Sequence, residues 1–331
     1  MSGRFVMVQA VRRMASSSSI SSPSSAAVSS RKMSSPALPS SKILYVVRHG
    51  QAMHNPRAEA AKEEGCSMEE FFRLMREDDA LDADLTDLGR LQAMQCHRDH
   101  FVQEKDGTDN DRNNPLGIDL VVASCLSRTI DTADLVFPPY HVDDDDDQDD
   151  EPLPAPRRIS IDKFREVNGN LLNGKRRTKS ELIARNPNWN FDSLETEDDE
   201  LWTPEMEKYE DCAERGYRGL VELLTDDTPE FDSNNHDNNN NNKDHINTIL
   251  LVCHGGILRY LMNIHPLVHL SDERTAKDDG ADSKTKSVEA RFDNCELRKY
   301  RLSWKEDITD PNPKDNGDGS RRAIVLTQLD P

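Results

Sequence analysis

Two short runs in this chain are apolar at every position, Ile43–Val47 and Ile249–Cys253, and just beyond each stands a histidine followed by glycine. Runs this short and this rich in Val, Ile and Leu fit strands buried on both faces, as in a parallel sheet covered by helices. The first leads into Arg48-His49-Gly50 and the second into His254-Gly255-Gly256. A third run, Ile118–Ala123, leads into Ser124-Cys125-Leu126-Ser127-Arg128. In an open α/β sheet, ligands bind in the crevice beyond the carboxyl ends of the strands. The three strand ends would therefore bring Arg48, His49, Arg128 and His254 together.

Helical patterns separate these runs. Residues 57–76 are helix-rich, with Gly65 interrupting them. Thr86 is placed to cap a helix through Leu88, Leu91 and Met94 towards Val102, and Ser127 to cap another containing Ile130 and Ala133. Residues 204–224 carry Ala213, Tyr217, Leu220, Val221 and Leu224 on one helical face, and Gly255–Met262 starts a further helix. Alternating strands and helices predict an α/β domain with a mostly parallel sheet in a three-layer α/β/α sandwich. Near the end, Ala290–Asp293, Leu297–Ser303 and Ala323–Thr327 read as strands, antiparallel additions at an edge.

Residues 1–41 lack Asp and Glu and mix Arg and Lys with dense Ser and Ala. That composition is typical of a mitochondrial or plastid transit peptide, with a disordered tail on a cytoplasmic protein as the other reading. The folded domain is expected over 42–331, with polar insertions at Asp143–Glu151, Asp232–His245, Ser271–Ser287 and Lys305–Ser320. A net charge of −20 argues against nucleic acid as a partner. It also requires a local cationic cluster if the ligand is an anion. The six cysteines are scattered without a CxxC pair, which fits a reduced compartment. No apolar run approaches the ~20 residues that span a bilayer. His97 with His100, and His265 with His269, have helical spacing but no acidic or cysteine partner, and read as surface histidines rather than metal ligands.

The strand-end residues suit phosphoryl transfer. That chemistry needs a nucleophile aimed at phosphorus and cations around the phosphoryl oxygens. A neutral His49 can be the nucleophile, while Arg48, Arg128 and a protonated His254 hold the phosphoryl group. Asn55 can donate an amide hydrogen bond to it. Glu166, between the second and third strands, is the candidate general acid, with a pKa raised towards neutrality. Gly255 and the basic pair Arg176 and Arg177 are candidate substrate contacts.

This set of residues resembles the histidine phosphatase superfamily, also called phosphoglycerate-mutase-like, and within it the plant and fungal phosphoglycerate-mutase-like proteins. Arg48-His49-Gly50, Asn55, Arg128, Glu166 and His254 match its motifs in order. Asp82–Gly89, Lys175–Arg177, Asp198–Trp202 and Asn294–Arg298 support the subgroup. The resemblance implies a phosphohistidine at His49, water as final acceptor, and no metal or cofactor. It implies a small phosphorylated metabolite or a phosphoprotein as ligand. Gln51-Ala52-Met53-His54-Asn55-Pro56 departs from the cofactor-dependent mutases and favours a phosphatase over a mutase. A non-catalytic phospho-ligand binding module is the third reading. Asn173-Gly174 replaces the Cys-Asp that often precedes the subgroup's Lys-Arg-Arg.

Overall fold

The computed structural model describes residues 41–102, 114–139, 155–225, 246–272, 290–309 and 321–330. The transit-like tail and most of the four polar insertions lie outside the described residues.

One seven-stranded sheet organises the chain in the order β3-β2-β4-β1-β6-β7-β5. The strands are β1 (Ser41–Arg48), β2 (Leu120–Ala123), β3 (Arg157–Ser160), β4 (Thr248–Cys253), β5 (Val268–Asp272), β6 (Leu297–Thr309) and β7 (Arg322–Gln328). β1 pairs parallel with β4, β4 with β2, and β2 with β3. β6 runs antiparallel to both of its neighbours, β1 and β7, and β5 lies parallel to β7. The sheet is therefore mostly parallel, with β6 reversed.

Successive side chains of a strand point to opposite faces, and the core divides accordingly. Leu44, Val46, Leu120, Val122, Ile249 and Leu251 pack on one side, against α6 (Tyr209–Thr225) and α7 (Gly255–Ile264). Tyr45, Val47, Val121, Ala123, Leu250 and Val252 pack on the other, against α3 (Asp87–His100) and α4 (Ser127–Val136). Helices on both faces make the expected three-layer α/β/α sandwich. The smaller helices α1 (Pro56–Glu63) and α2 (Met68–Glu77) pack together, and α5 (Lys179–Arg185) begins with a capping box between Thr178 and Glu181.

Thr86 caps α3 as expected, accepting the Gly89 N–H at 3.0 Å. Ser127 does not cap α4. It is the first helical residue, and its N–H and hydroxyl both donate to the buried Asp82 carboxylate, at 2.8 and 2.7 Å. Residues 290–293 form no strand. Glu296 N–H turns back to the Asp293 carbonyl, and Cys295 is left-handed at φ 57°. β6 continues to Thr309, into residues read as a polar insertion. α6 starts at Tyr209, later than the sequence suggests. His265 is buried and accepts no surface role, because its ring stacks on Tyr217 and its Nε2 lies 3.1 Å from Glu214.

Candidate active site

β2, β4 and β1 are hydrogen-bonded neighbours whose carboxyl ends lie side by side. Chain segments far apart in sequence thus deliver Ser124, His254 and Arg48-His49 to one rim. His49 is 3% exposed. Its Nδ1 lies 2.7 Å from the Gly50 carbonyl. A proton on Nδ1 donates to that oxygen and leaves Nε2 with its lone pair as an acceptor. Arg128 Nε stands 3.3 Å from that Nε2. The His254 ring meets the His49 ring edge-on, with centroids 4.9 Å apart.

The backbone makes this crowding feasible. At Gly50 a Cβ would lie 2.4 Å from the Gly89 carbonyl oxygen, so the turn after His49 crosses the first turn of α3 at a separation that only glycine permits.

Burial and like charge act together on the imidazoles. His49 is pushed well below its usual pKa, first by desolvation and then by Arg128 and Arg48. His254 is pushed down by desolvation, then by Arg128 and His49. In this state His254 is therefore neutral, not the cation expected from sequence. Ser124 Oγ lies 2.7 Å from its Nε2, and its Nδ1 has no hydrogen-bond partner.

His54 carries no role in the sequence reading, yet it belongs to the cluster. It is buried, its Nδ1 has no partner, and desolvation, Arg128 and Arg48 push its pKa well down. Arg48 Nε is likewise buried and unpartnered. Buried polar atoms without partners cost about 1–3 kcal/mol each. Three of them, on Arg48, His54 and His254, belong to residues whose charges or rings act on His49 or on one another, so the cluster holds polar atoms that a bound ligand could satisfy. The signal in the sequence was the one-residue offset of His54 from Asn55. A histidine there has no periodic pattern to mark it.

Glu166 reaches the rim from the loop after β3. Its carboxylate accepts N–H bonds from Val167 at 2.9 Å and from Gly256 and Ile257 at 3.0 Å each. It sits on the amino end of α7, where free N–H groups and the helix dipole favour an anion. Gly256 is required for this approach: a Cβ there would stand 2.1 Å from Glu166 Oε1. Arg215 braces the loop from below, donating to the carbonyls of Lys163, Arg165 and Glu166 and to the Glu207 carboxylate.

Asn55 precedes α1, and its Oδ1 accepts the Ala52 N–H at 3.0 Å, which leaves the amide NH2 as a donor. Arg128 Nη1 donates to the Asn173 carbonyl at 2.7 Å, and Asp79 holds the Asn173 N–H and amide. The Asn173-Gly174 segment thus orients Arg128 through its main chain.

Arg176 and Arg177 are engaged elsewhere. Arg176 donates to the carbonyls of Arg177, Thr196, Glu197 and Asp198. Arg177 binds Ser127, Asp82 and Asp84. Both act as braces between loops, with their guanidinium donors occupied. Cys253 and Cys295 are buried thiols; desolvation drives Cys295 up to about 12 and Cys253 higher still. Among the described residues no three His, Cys, Asp or Glu side chains are grouped to hold a metal ion, and no helix is long and apolar enough to cross a membrane.

No protein-family model matches the chain. It is 26% identical over 279 residues to a phosphoglycerate mutase-like protein of Arabidopsis thaliana, an overlap of 78% of this chain and 83% of that protein. Similar solved structures include mycobacterial hydrolase 2, with TM-score 0.37 and 20% identity over 88% of this chain and 94% of that one. Mycobacterial glucosyl-3-phosphoglycerate phosphatase has TM-score 0.36 and 18% identity over 87% and 100%. The α-ribazole phosphatase of Shigella flexneri has TM-score 0.36 and 17% identity over 78% and 89%. In its sequence the chain resembles the phosphoglycerate-mutase-like proteins of the histidine phosphatase superfamily.

Proposed function

We propose that this protein hydrolyses phosphate monoesters through a phosphohistidine at His49, without a metal. The observation that carries the reading is the His49 imidazole itself. Its Nδ1 is tied to the Gly50 carbonyl, and its unprotonated Nε2 accepts from Arg128 Nε, a guanidinium that the incoming phosphoryl oxygens would draw onto themselves. Phosphorus is attacked by the Nε2 lone pair, and the ester oxygen leaves. Arg48, Arg128, the Asn55 amide and His254 surround the phosphoryl oxygens. The dianion opposes the burial and the cationic neighbours that keep His254 neutral, so His254 takes up a proton as the phosphate enters. The helix end holds Glu166 as an anion in the empty site, and the charge of the incoming phosphate opposes that and brings a proton onto the carboxylate. Glu166 delivers this proton to the leaving oxygen and then takes one from the water that attacks the phosphohistidine.

The test is hydrolysis of an aryl phosphate and a panel of phosphorylated metabolites by residues 42–331, with EDTA present. Rapid quench in base should trap an acid-labile phosphoenzyme. His49→Ala is expected to abolish both the trapped species and turnover. Full turnover in His49→Ala would end the proposal. Residues 1–41 are read as an organelle transit peptide. Fused to a fluorescent protein, they should direct it to mitochondria or plastids, and uniform cytoplasmic fluorescence would count against that reading.

A further inference from the structure

Ser124 touches His254 at the strand ends, yet the phosphatase mechanism gives it no part. Its Oγ lies 2.7 Å from His254 Nε2, and both residues are fully buried. The Ser124 backbone is pinned from two sides. Its N–H donates to the Val252 carbonyl of β4 at 3.2 Å, and its carbonyl lies 3.0 Å from the Thr129 hydroxyl of α4. The hydroxyl therefore meets the imidazole from a fixed position. Oγ also accepts the Leu126 N–H, at 3.3 Å.

Burial, with Arg128, His49, His54 and Arg215 behind it, keeps His254 neutral in the empty site. A neutral imidazole carries one proton, so one ring nitrogen is a donor and the other an acceptor. Suppose Nε2 carries it. Nε2–H then donates to Ser124 Oγ, which already accepts from Leu126. The serine proton has no acceptor left among the described residues, and Nδ1 is a lone pair without a donor. Suppose instead that Nδ1 carries it. The Ser124 hydroxyl then donates to Nε2, and Nδ1–H is the single group left over. Buried polar groups are paired wherever they can be, so the second arrangement is the stable one. It leaves a donor on the ring nitrogen that Ser124 does not occupy, in a ring whose centroid is 4.9 Å from that of His49.

We propose that Ser124 is a positioning residue: its hydroxyl donates to His254 Nε2, fixes the proton on Nδ1, and so readies Nδ1–H as a donor to a phosphoryl oxygen. This rests on the phosphatase reading for the ligand. A hydroxyl suits the place because it has one proton and two lone pairs. It donates to Nε2 of the neutral ring. By rotating about the Cβ–Oγ bond, it accepts from Nε2–H of the imidazolium that forms as phosphate enters. An ionised carboxylate there could only accept, and an alanine could do neither.

The experiment is a long-range proton–nitrogen correlation spectrum of the full chain, with its histidine rings nitrogen-labelled, at neutral pH and without ligand. Protonated and bare ring nitrogens resonate far apart, and the His254 signals are those missing from His254→Gln. The expected result is a protonated Nδ1 and a bare Nε2. Ser124→Ala should mix the two tautomers and lower kcat/KM for an aryl phosphate about tenfold, the scale of one lost hydrogen bond. Ser124→Thr, which keeps the hydroxyl, should hold the wild-type tautomer and recover most of that loss. A wild-type His254 protonated on Nε2 overturns the proposal, and so does a Ser124→Ala protein that keeps the proton on Nδ1. Should the alanine variant not fold, the wild-type and threonine spectra decide. Aryl phosphate hydrolysis by the wild type and by His49→Ala, measured in parallel, tests the phosphatase reading alone. The ligand-free spectrum does not depend on turnover, so the two results fail separately.

Discussion

At the residue scale, the site is a set of neutral imidazoles held beside fixed cations. His49, His54 and His254 are all pushed well below 6.5, mainly by burial. In the unfolded chain each returns to its ordinary value and takes up a proton as pH falls below about 6.5. The folded state resists that proton, so stability is full above about pH 6.5 and declines as pH falls towards the depressed values, by up to about 1.4 kcal/mol per pH unit per histidine. Urea unfolding at pH 7.5 and 5.5 should show this loss, and His54→Asn should make it shallower; an unchanged slope would contradict the placement of His54. Gly256 is a second sensitive residue. The Cβ of Gly256→Ala would collide with Glu166 and move its carboxylate by about an ångström, a displacement that costs roughly 100-fold in rate. kcat should fall on that order while the melting temperature stays close to that of the wild type. Arg48, His49, Arg128 and His254 could be picked out as candidates because each follows an apolar run, and Glu166 because it is an acidic residue between the second and third strands. His54 and Ser124 could not, because their importance comes from what folding places beside them.

At the element scale, the amino end of α4 depends on a residue far away in sequence. Asp82 accepts both the N–H and hydroxyl of Ser127 and pairs with Arg177. Asp82→Ala leaves these donors without an acceptor and should cost about 3 kcal/mol, since removing one partner of a buried pair strands the other. It should also reduce kcat/KM, because Arg128 is the next residue of that helix turn. Chemical denaturation and steady-state kinetics on the same preparation check both effects. Ser127→Ala, which keeps the backbone N–H bond, should cost nearer 1 kcal/mol. The same long-range contact shows where sequence reading reaches its bound. Thr86 caps through its own local bond and was legible, whereas Ser127 looked like a cap and was displaced from that role by Asp82. Ile118 looked like strand, but its N–H and carbonyl bond the Asn114 side chain, so β2 begins two residues later. Ala290 and Phe292 alternate like a strand and are both buried, yet the turn at Asp293–Glu296 takes the backbone elsewhere.

At the scale of the whole molecule, the two edges of the sheet carry different duties. The site occupies the carboxyl edge of β1, β4 and β2. The stretches 103–113, 140–154 and 226–245 each connect the end of a helix, α3, α4 or α6, to the beginning of the next strand. Their attachment points therefore lie at the opposite edge, where Asp119 fastens the N–H groups of Asn247 and Thr248. Stretch 310–320 also leaves there, because β6 runs past the beginning of β1 before β7 returns. Only 273–289 departs from the site edge and leads back to Phe292, whose carbonyl holds Arg48. Replacing 226–245 by a short Gly/Ser linker should leave kcat/KM within about twofold, since loop length costs only ~0.6 kcal/mol per doubling. The same replacement of 273–289 should lower it. Comparison of the two shortened proteins on one substrate decides the matter. An architecture of this kind has a conservative edge and a permissive one. Lineages can lengthen, acidify or erase the permissive connections without disturbing the residues at the other edge, and a fluorophore, affinity handle or whole guest domain can be spliced there into an intact fold.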